Sequence, residues 1–289
     1  MLPSRRASAV IALFLLLPPA AEARAQCEHC APPSVRGEAL SLAGNALIGG
    51  VTAGIGARLR GRPFLRAFAG GAAGGAVTYA GKRIAAEHVE GAGFAGREVA
   101  AVGSSISANA AAGRGALDRL VLPVGPVRVY LAPRGEGPAV RARVDLAAVA
   151  AAAFAATARG SRFDARESLS SGALVFRVPG ALEEVGYDGR HLAGVVQVRQ
   201  GGDSLRAERT GAHERVHVIQ YDQSFILWAA PAEAALMDRA RWSRGLHRWI
   251  DLGINAPALA GLGAVVPYRA QPWETEAVYL ARTSAGEAR

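Results

Sequence analysis

The chain has 289 residues, 51% of them hydrophobic and 20% charged, with a formal charge of +9 and two cysteines. That length is enough for a sizeable core in one large domain or two small ones; the apolar content excludes intrinsic disorder, and two cysteines exclude a disulfide-built mini-scaffold. The positive charge has the sign of a nucleic-acid footprint, but Lys82 is the only lysine and arginine is scattered along an Ala/Gly-rich chain. With no block of like charges and no basic stripe interleaved with aromatics, no nucleic-acid partner is expected.

Residues 1–25 read as a secretory signal peptide. Arg5 and Arg6 precede the apolar stretch Ala9 to Leu17, Pro18 and Pro19 break it, and Ala21-Glu22-Ala23 or Ala23-Arg24-Ala25 offers small residues for cleavage. The apolar stretch is too short to span a bilayer. Export to a periplasmic or secreted location follows, where thiols oxidise. Cys27-Glu28-His29-Cys30 is therefore read as a local disulfide between Cys27 and Cys30. Three ligands within four residues make a poor closed metal site, and no βαβ pattern surrounds them for a redox role.

Residues 26–116 form an Ala/Gly-rich helical region. The uncharged run Leu40 to Ala57 contains Gly50-x-x-x-Gly54, and Ala67 to Gly81 contains Gly70-x-x-x-Gly74 and Gly71-x-x-x-Gly75, with Arg58, Arg60, Arg62, Pro63 and Arg66 between them. Small residues at every fourth position let helix backbones approach closely. The two runs fit either tightly packed soluble helices, the leading reading, or a membrane hairpin over residues 40–81 with its arginines on the cytoplasmic side.

Residues 117–289 read as one α+β domain. Leu120 to Leu131 alternates around Pro123 and Pro126, and Val140 to Leu146 alternates cleanly. A helix is expected over Ala147 to Ala158, and short strands over Leu174 to Val178 and Val195 to Val198. These strands are expected to make one small antiparallel sheet, followed by helices from residue 211.

One motif carries chemistry. In His213-Glu214-Arg215-Val216-His217 the histidines are four apart, so on a helix both imidazoles reach one ion, and Glu214 is placed to act as general base toward a water. Thr210 is expected to cap that helix. A third ligand is sought in Pro267-Tyr-Arg-Ala-Gln-Pro-Trp-Glu-Thr-Glu-Ala277. Pro272 suits a first helical turn, and of Glu274 and Glu276 only one can face the ion. An oxyanion stabiliser is open among Tyr268, Arg269, Tyr221 and His247. His29, His88 and His191 show no ligand-like partner nearby.

His213-Glu214-x-x-His217 followed by Trp-Glu274-Thr-Glu-Ala resembles the gluzincin class of zinc metallopeptidases. His217-x-x-Gln220 and Glu-x-Glu-Ala resemble a group of bacterial His-Glu-x-x-His proteins within it. The resemblance covers roughly residues 170 to 285. It implies a Zn2+ ion held by His213, His217 and Glu274, with Glu276 as the alternate ligand, Glu214 as catalytic base, and a peptide or protein substrate. It also implies a zincin-like C-terminal part whose edge strand binds substrate backbone, assigned to Val195 to Val198. Where the class often has an aspartate supporting a histidine, this chain has Val278, which puts the hydrogen-bonded surroundings of the site and the retention of activity in doubt. The reading from a different class is a non-catalytic envelope protein whose glycine-rich helices make membrane or partner contacts.

Overall fold

The computed structural model describes residues 34–132, 139–179, 189–200, 204–267 and 270–284. Residues 1–25, read above as a signal peptide, and Cys27, Cys30, Tyr268 and Arg269 lie outside the described residues. The architecture is α+β: three long N-terminal helices, two small mixed sheets, and a central helix carrying the His-Glu-x-x-His motif.

Helices α1 (Val35–Leu59), α2 (Phe64–Ala86) and α3 (Ala92–Ala112) run antiparallel in sequence order. Ser34 caps α1 by accepting from the Gly37 amide at 3.1 Å. Glycine lets the three backbones touch. A Cβ on Gly75 would lie 2.1 Å from the Asn45 carbonyl oxygen, one on Gly71 2.3 Å from that of Gly49, and one on Gly81 2.5 Å from that of Gly96. Such approaches are closed to any residue with a side chain. The hydroxyls of Thr78, Ser104 and Ser107 are buried in the seam and donate to carbonyls within it. Among the described residues, α1 alone is long and apolar enough to cross a bilayer.

The chain then forms β1 (Leu120–Val124), β2 (Val127–Leu131) and β3 (Val140–Asp145), an antiparallel meander joined in parallel by β8 (Ile250–Asp251). Its buried face mixes polar and apolar side chains, Val121 lying opposite Tyr130. Arg128 and Tyr130 are buried, whereas Val140 and Val144 are exposed. Arg128 pairs with Asp145 and its guanidinium stacks on the Phe225 ring at 3.4 Å, so its charge is neutralised as it leaves water.

Helix α4 (Leu146–Thr157), capped by Asp145, and α5 (Ala165–Ser171), capped by Asp164, flank the second sheet. Its order is β4 (Arg162–Phe163), β5 (Leu174–Val178), β7 (Val195–Arg199), β6 (Gly189–Leu192). Two expectations are corrected. The strands form two mixed sheets, because β5 and β7 pair in parallel, as do β3 and β8. Val195 to Val198 is an interior strand, buried on both faces; its continuous apolar run serves burial, and the edge falls to β6.

Helix α6 (Ser204–Ser224) carries the motif and is central: Ala212, Val216, Val218, Ile219 and Tyr221 are all buried. It begins at Ser204, so Thr210 is interior to the helix and not its cap. At Phe225–Ala229 the helix widens into a π-turn and continues as α7 (Ala230–Met237). Pro231 lacks the N–H that would bond back to residue 227, and the wider turn accommodates it. Helices α8 (Arg241–His247), α9 (Asn255–Val265) and α10 (Pro272–Ser284) complete the chain, α10 packing on α6.

The glycine seam yields a paired prediction. Gly75→Ala must displace the Asn45 backbone and should destabilise the protein by about 1–3 kcal/mol. Gly44→Ala meets nothing within 4 Å and should gain about 0.5–1 kcal/mol from helix propensity. Thermal or urea unfolding of the two variants checks both signs.

Candidate metal centre

On α6 the polar residues His213, His217 and Gln220 recur at helical spacing along one stripe of the helix, whose other faces bury Ala212, Val216, Val218 and Ile219. That stripe faces the first turn of α10. Pro272 starts this helix with no N–H to lose, and the turn delivers Glu274 to the imidazoles. His213 Nε2 lies 2.9 Å from His217 Nε2, and the two Glu274 oxygens lie 3.3 Å from His213 Nε2 and 3.2 Å from His217 Nε2.

These separations test the fit of an ion. Ligand atoms at about 2.0–2.1 Å from a tetrahedral zinc stand roughly 3.3 Å from one another. Two imidazole nitrogens and a carboxylate at 2.9 to 3.3 Å match that donor set and spacing. The group His213, His217 and Glu274 therefore fits zinc with a fourth position left for water or substrate.

Glu214 is 4% exposed, and its Oε2 is buried with no hydrogen-bond partner. Burial pushes its carboxyl up to about 7, against the pull of His213 and with a further push from Glu274. A group so poised exchanges a proton near neutrality. Gly189, at the start of edge strand β6, makes room for it: a Cβ there would come within 2.8 Å of Glu214 Oε1 and 2.5 Å of Thr210 Cγ2.

Glu276 is turned away from the imidazoles. It accepts from Lys82 Nζ at 2.8 Å, Asn45 Nδ2 at 2.5 Å and Gln220 Nε2 at 2.9 Å. Burial raises its pKa, but the Lys82 charge and these three donors outweigh burial and hold it below the usual carboxylate range. Val278 is half-buried and gives neither imidazole a hydrogen bond; His217 Nδ1 instead meets Gln220 Oε1 at 2.7 Å.

Of the oxyanion options, Tyr221 is buried with its hydroxyl donating to Asp145 at 2.9 Å. His247 lies in a second acidic grouping with Glu233 and Asp251. That grouping already holds its cation. Arg143 Nη1 sits 2.8 Å from His247 Nε2 and 3.2 Å from Asp251 Oδ1, and the Glu233 oxygens accept the Leu252 and Ile254 amides. A metal ion there would meet a guanidinium.

His191, for which the sequence offers no partner, stands beside the centre. Its ring stacks 6.3 Å from that of His217, and its Nε2 accepts the Gly194 amide at 2.8 Å. Burial, with the nearby His217 and Arg97, pushes its pKa down to about 3, so the ring is neutral and its proton sits on Nδ1. Lys82 and Asn45 likewise come to the site unannounced. Gln220 carried a signal in the His217-x-x-Gln220 spacing, which sets it seven residues after His213 on the same helical face.

Zinc at one hundred times its dissociation constant should stabilise the chain by about 2.7 kcal/mol. Calorimetric or fluorescence Tm shifts read this, together with a stoichiometry of one ion per chain; Glu274→Gln should lose most of the shift. Two ions per chain would show the Glu233 grouping to be a site after all. No protein-family model, curated protein or solved structure matches the chain, so the arrangement stands on its own geometry.

Proposed function

We propose that this chain is an exported zinc-dependent peptidase-like hydrolase of gluzincin type. The observation that carries the reading is the meeting of His213 Nε2, His217 Nε2 and a Glu274 carboxylate within 3.3 Å of one another, beside a buried glutamate. His213, His217 and Glu274 would hold the ion. Zinc, when bound, supplies a Lewis acid for the scissile carbonyl and lowers the pKa of water. Glu214 takes the proton of the attacking water at its carboxylate and gives it to the leaving amine. The buried walls around Glu214 keep other water from competing for that proton.

Strand β6 has a partner only on its β7 side among the described residues, and Gly189 at its start lies against Glu214. An extended peptide paired to that free edge places a backbone carbonyl next to the ion, main-chain hydrogen bonds giving affinity without demanding a particular side chain.

A second reading, a non-catalytic envelope protein held by its glycine-rich helices, is favoured by α1: it is long and apolar enough for a bilayer, and Leu40 and Leu47 point outward at 63% and 49% exposure. The two readings are compatible in location, since α1 at a bilayer would place the centre at a membrane surface. They differ in turnover.

Glu214→Gln should retain stoichiometric zinc and lower hydrolysis of a quenched-fluorescent peptide library by about 10²–10⁴-fold. The double variant His213→Ala, His217→Ala should lose both metal and turnover. A folded wild type without zinc, or unchanged turnover in Glu214→Gln, would remove the catalytic reading and leave the envelope protein.

A further inference from the structure

The Gln220 amide has one orientation that satisfies its surroundings. One of its terminal atoms faces Glu276 Oε2 at 2.9 Å and the Trp273 carbonyl oxygen at 3.0 Å. Both of those are acceptors, so the facing group is the NH2. Oε1 is then left toward His217 Nδ1 at 2.7 Å. An amide oxygen cannot donate, so Nδ1 must carry a proton, and Nε2 is the nitrogen turned toward His213 and Glu274. The opposite orientation of the amide would put N–H against Nδ1, move the imidazole proton to Nε2 and close that nitrogen to a metal ion.

What fixes the amide is the ionised carboxylate of Glu276, and what fixes Glu276 comes from the glycine-packed helices. Lys82 Nζ, 1% exposed on α2, donates to Glu276 Oε2 at 2.8 Å and to Asn45 Oδ1 at 2.8 Å. Asn45 on α1 donates to Glu276 Oε1 at 2.5 Å and to the Ser41 carbonyl at 2.9 Å, which settles its own amide as well. Between α1 and the imidazole, the amides of Asn45 and Gln220 each have one orientation in which both N–H groups meet acceptors.

We propose that Lys82 and Asn45 are positioning residues for His217: by holding Glu276 they set the Gln220 amide, and through it the tautomer and ring orientation that present Nε2 to the ion. The consequence for metal affinity rests on the zinc reading; the consequence for the tautomer does not.

Two measurements on the full mature chain test this. Long-range 15N–1H correlation on the metal-free protein reads the tautomer of His217, and competition with a chromophoric chelator reads zinc affinity. The wild type should show Nδ1–H at His217. The double variant Lys82→Met, Glu276→Met replaces the buried pair by apolar chains of similar volume, a change that generally spares folding. It should shift His217 toward Nε2–H or a mixture and weaken zinc about 10–100-fold. The double variant Lys82→Met, Glu276→Gln, which leaves no unpaired buried charge and can present either amide atom to Gln220, should give a mixed tautomer and serves where the first double variant does not fold. Folded variants that keep pure Nδ1–H and wild-type zinc affinity would overturn the proposal, as would Nε2–H in the wild type. A wild type that shows Nδ1–H, and variants that lose it, while none of them takes up zinc, would uphold the positioning role and sink the zinc reading.

Discussion

Lys82 and Glu276 lie 2.8 Å apart with side chains 2% and 16% exposed, and neither can leave water without the other. Removing one partner of such a pair costs about 3–5 kcal/mol, because the remaining charge stays buried and uncompensated. The pair therefore demands that α2 and α10 keep one relative position. Asn45 extends the demand to α1, and Gln220 extends it to α6. Four helices from distant parts of the sequence are locked in register by the solvation requirement of two charges. Among 33 cationic residues this is the single lysine. A compact ammonium suits the space between Asn45 and Glu276, where the planar fork of an arginine would ask for more acceptors than the site offers.

The glycines and the buried charge answer to the same constraint. Lys82 reaches Glu276 while donating to Asn45 because α1 and α2 touch backbone to backbone at Gly75 and Asn45, about two turns before Lys82 on α2. A thicker seam would move Asn45 outward and leave Nζ short of an acceptor. On the other side, Arg97 of α3 forms a buried ion pair with Asp222 of α6 at 2.6 Å, and Arg215 of α6 donates to the Ala85 carbonyl of α2 at 2.8 Å. Helix α6 is thus surrounded by apolar packing but oriented by polar contacts, which permit fewer rotations of a helix than apolar contacts do. That orientation aims the stripe of His213, His217 and Gln220 at α10.

What could be read from the sequence, and what could not, divides along the range of the interactions. The helical spacing of His213 and His217, the helix over Ala147 to Ala158 and the short strands are local properties, and all are visible in periodicity. The sheet arrangement is not: whether Val195 to Val198 sits inside or at an edge depends on β5 pairing with it in parallel across an intervening segment, and an apolar run of that length suits either. Thr210 looked like a cap because the residues before it lack apolar periodicity, yet the helix extends back to Ser204. In β2 the pattern itself misleads, since Arg128 is the residue that is buried, its charge answered by Asp145 and Asp251 from other strands. His191, Lys82 and Asn45 had no signal because each gains its partner only through tertiary contact.

The composition boundary near residue 116 marks where glycine and alanine give way to alternating strands, but it does not mark where the candidate centre ends. Val216 of the motif is packed with Tyr79 and Ala86 of α2 and with Ala277 and Leu280 of α10 in one cluster, and Ile219 is packed with Ala85 and Ala100. Without residues 35–112, α6 would expose these side chains to water and Glu276 would lose its cation. The three-helix leader is therefore the wall against which the motif helix is built, and its outer apolar surface on α1 is a separate matter from its inner one. The inner face is committed to the site by Lys82 and Asn45; the outer face, with Leu40 and Leu47, is exposed. A hairpin with one face bound to the site and the other apolar would join the position of a membrane or partner surface to the geometry of the metal ligands through rigid helices, with no need of a moving part.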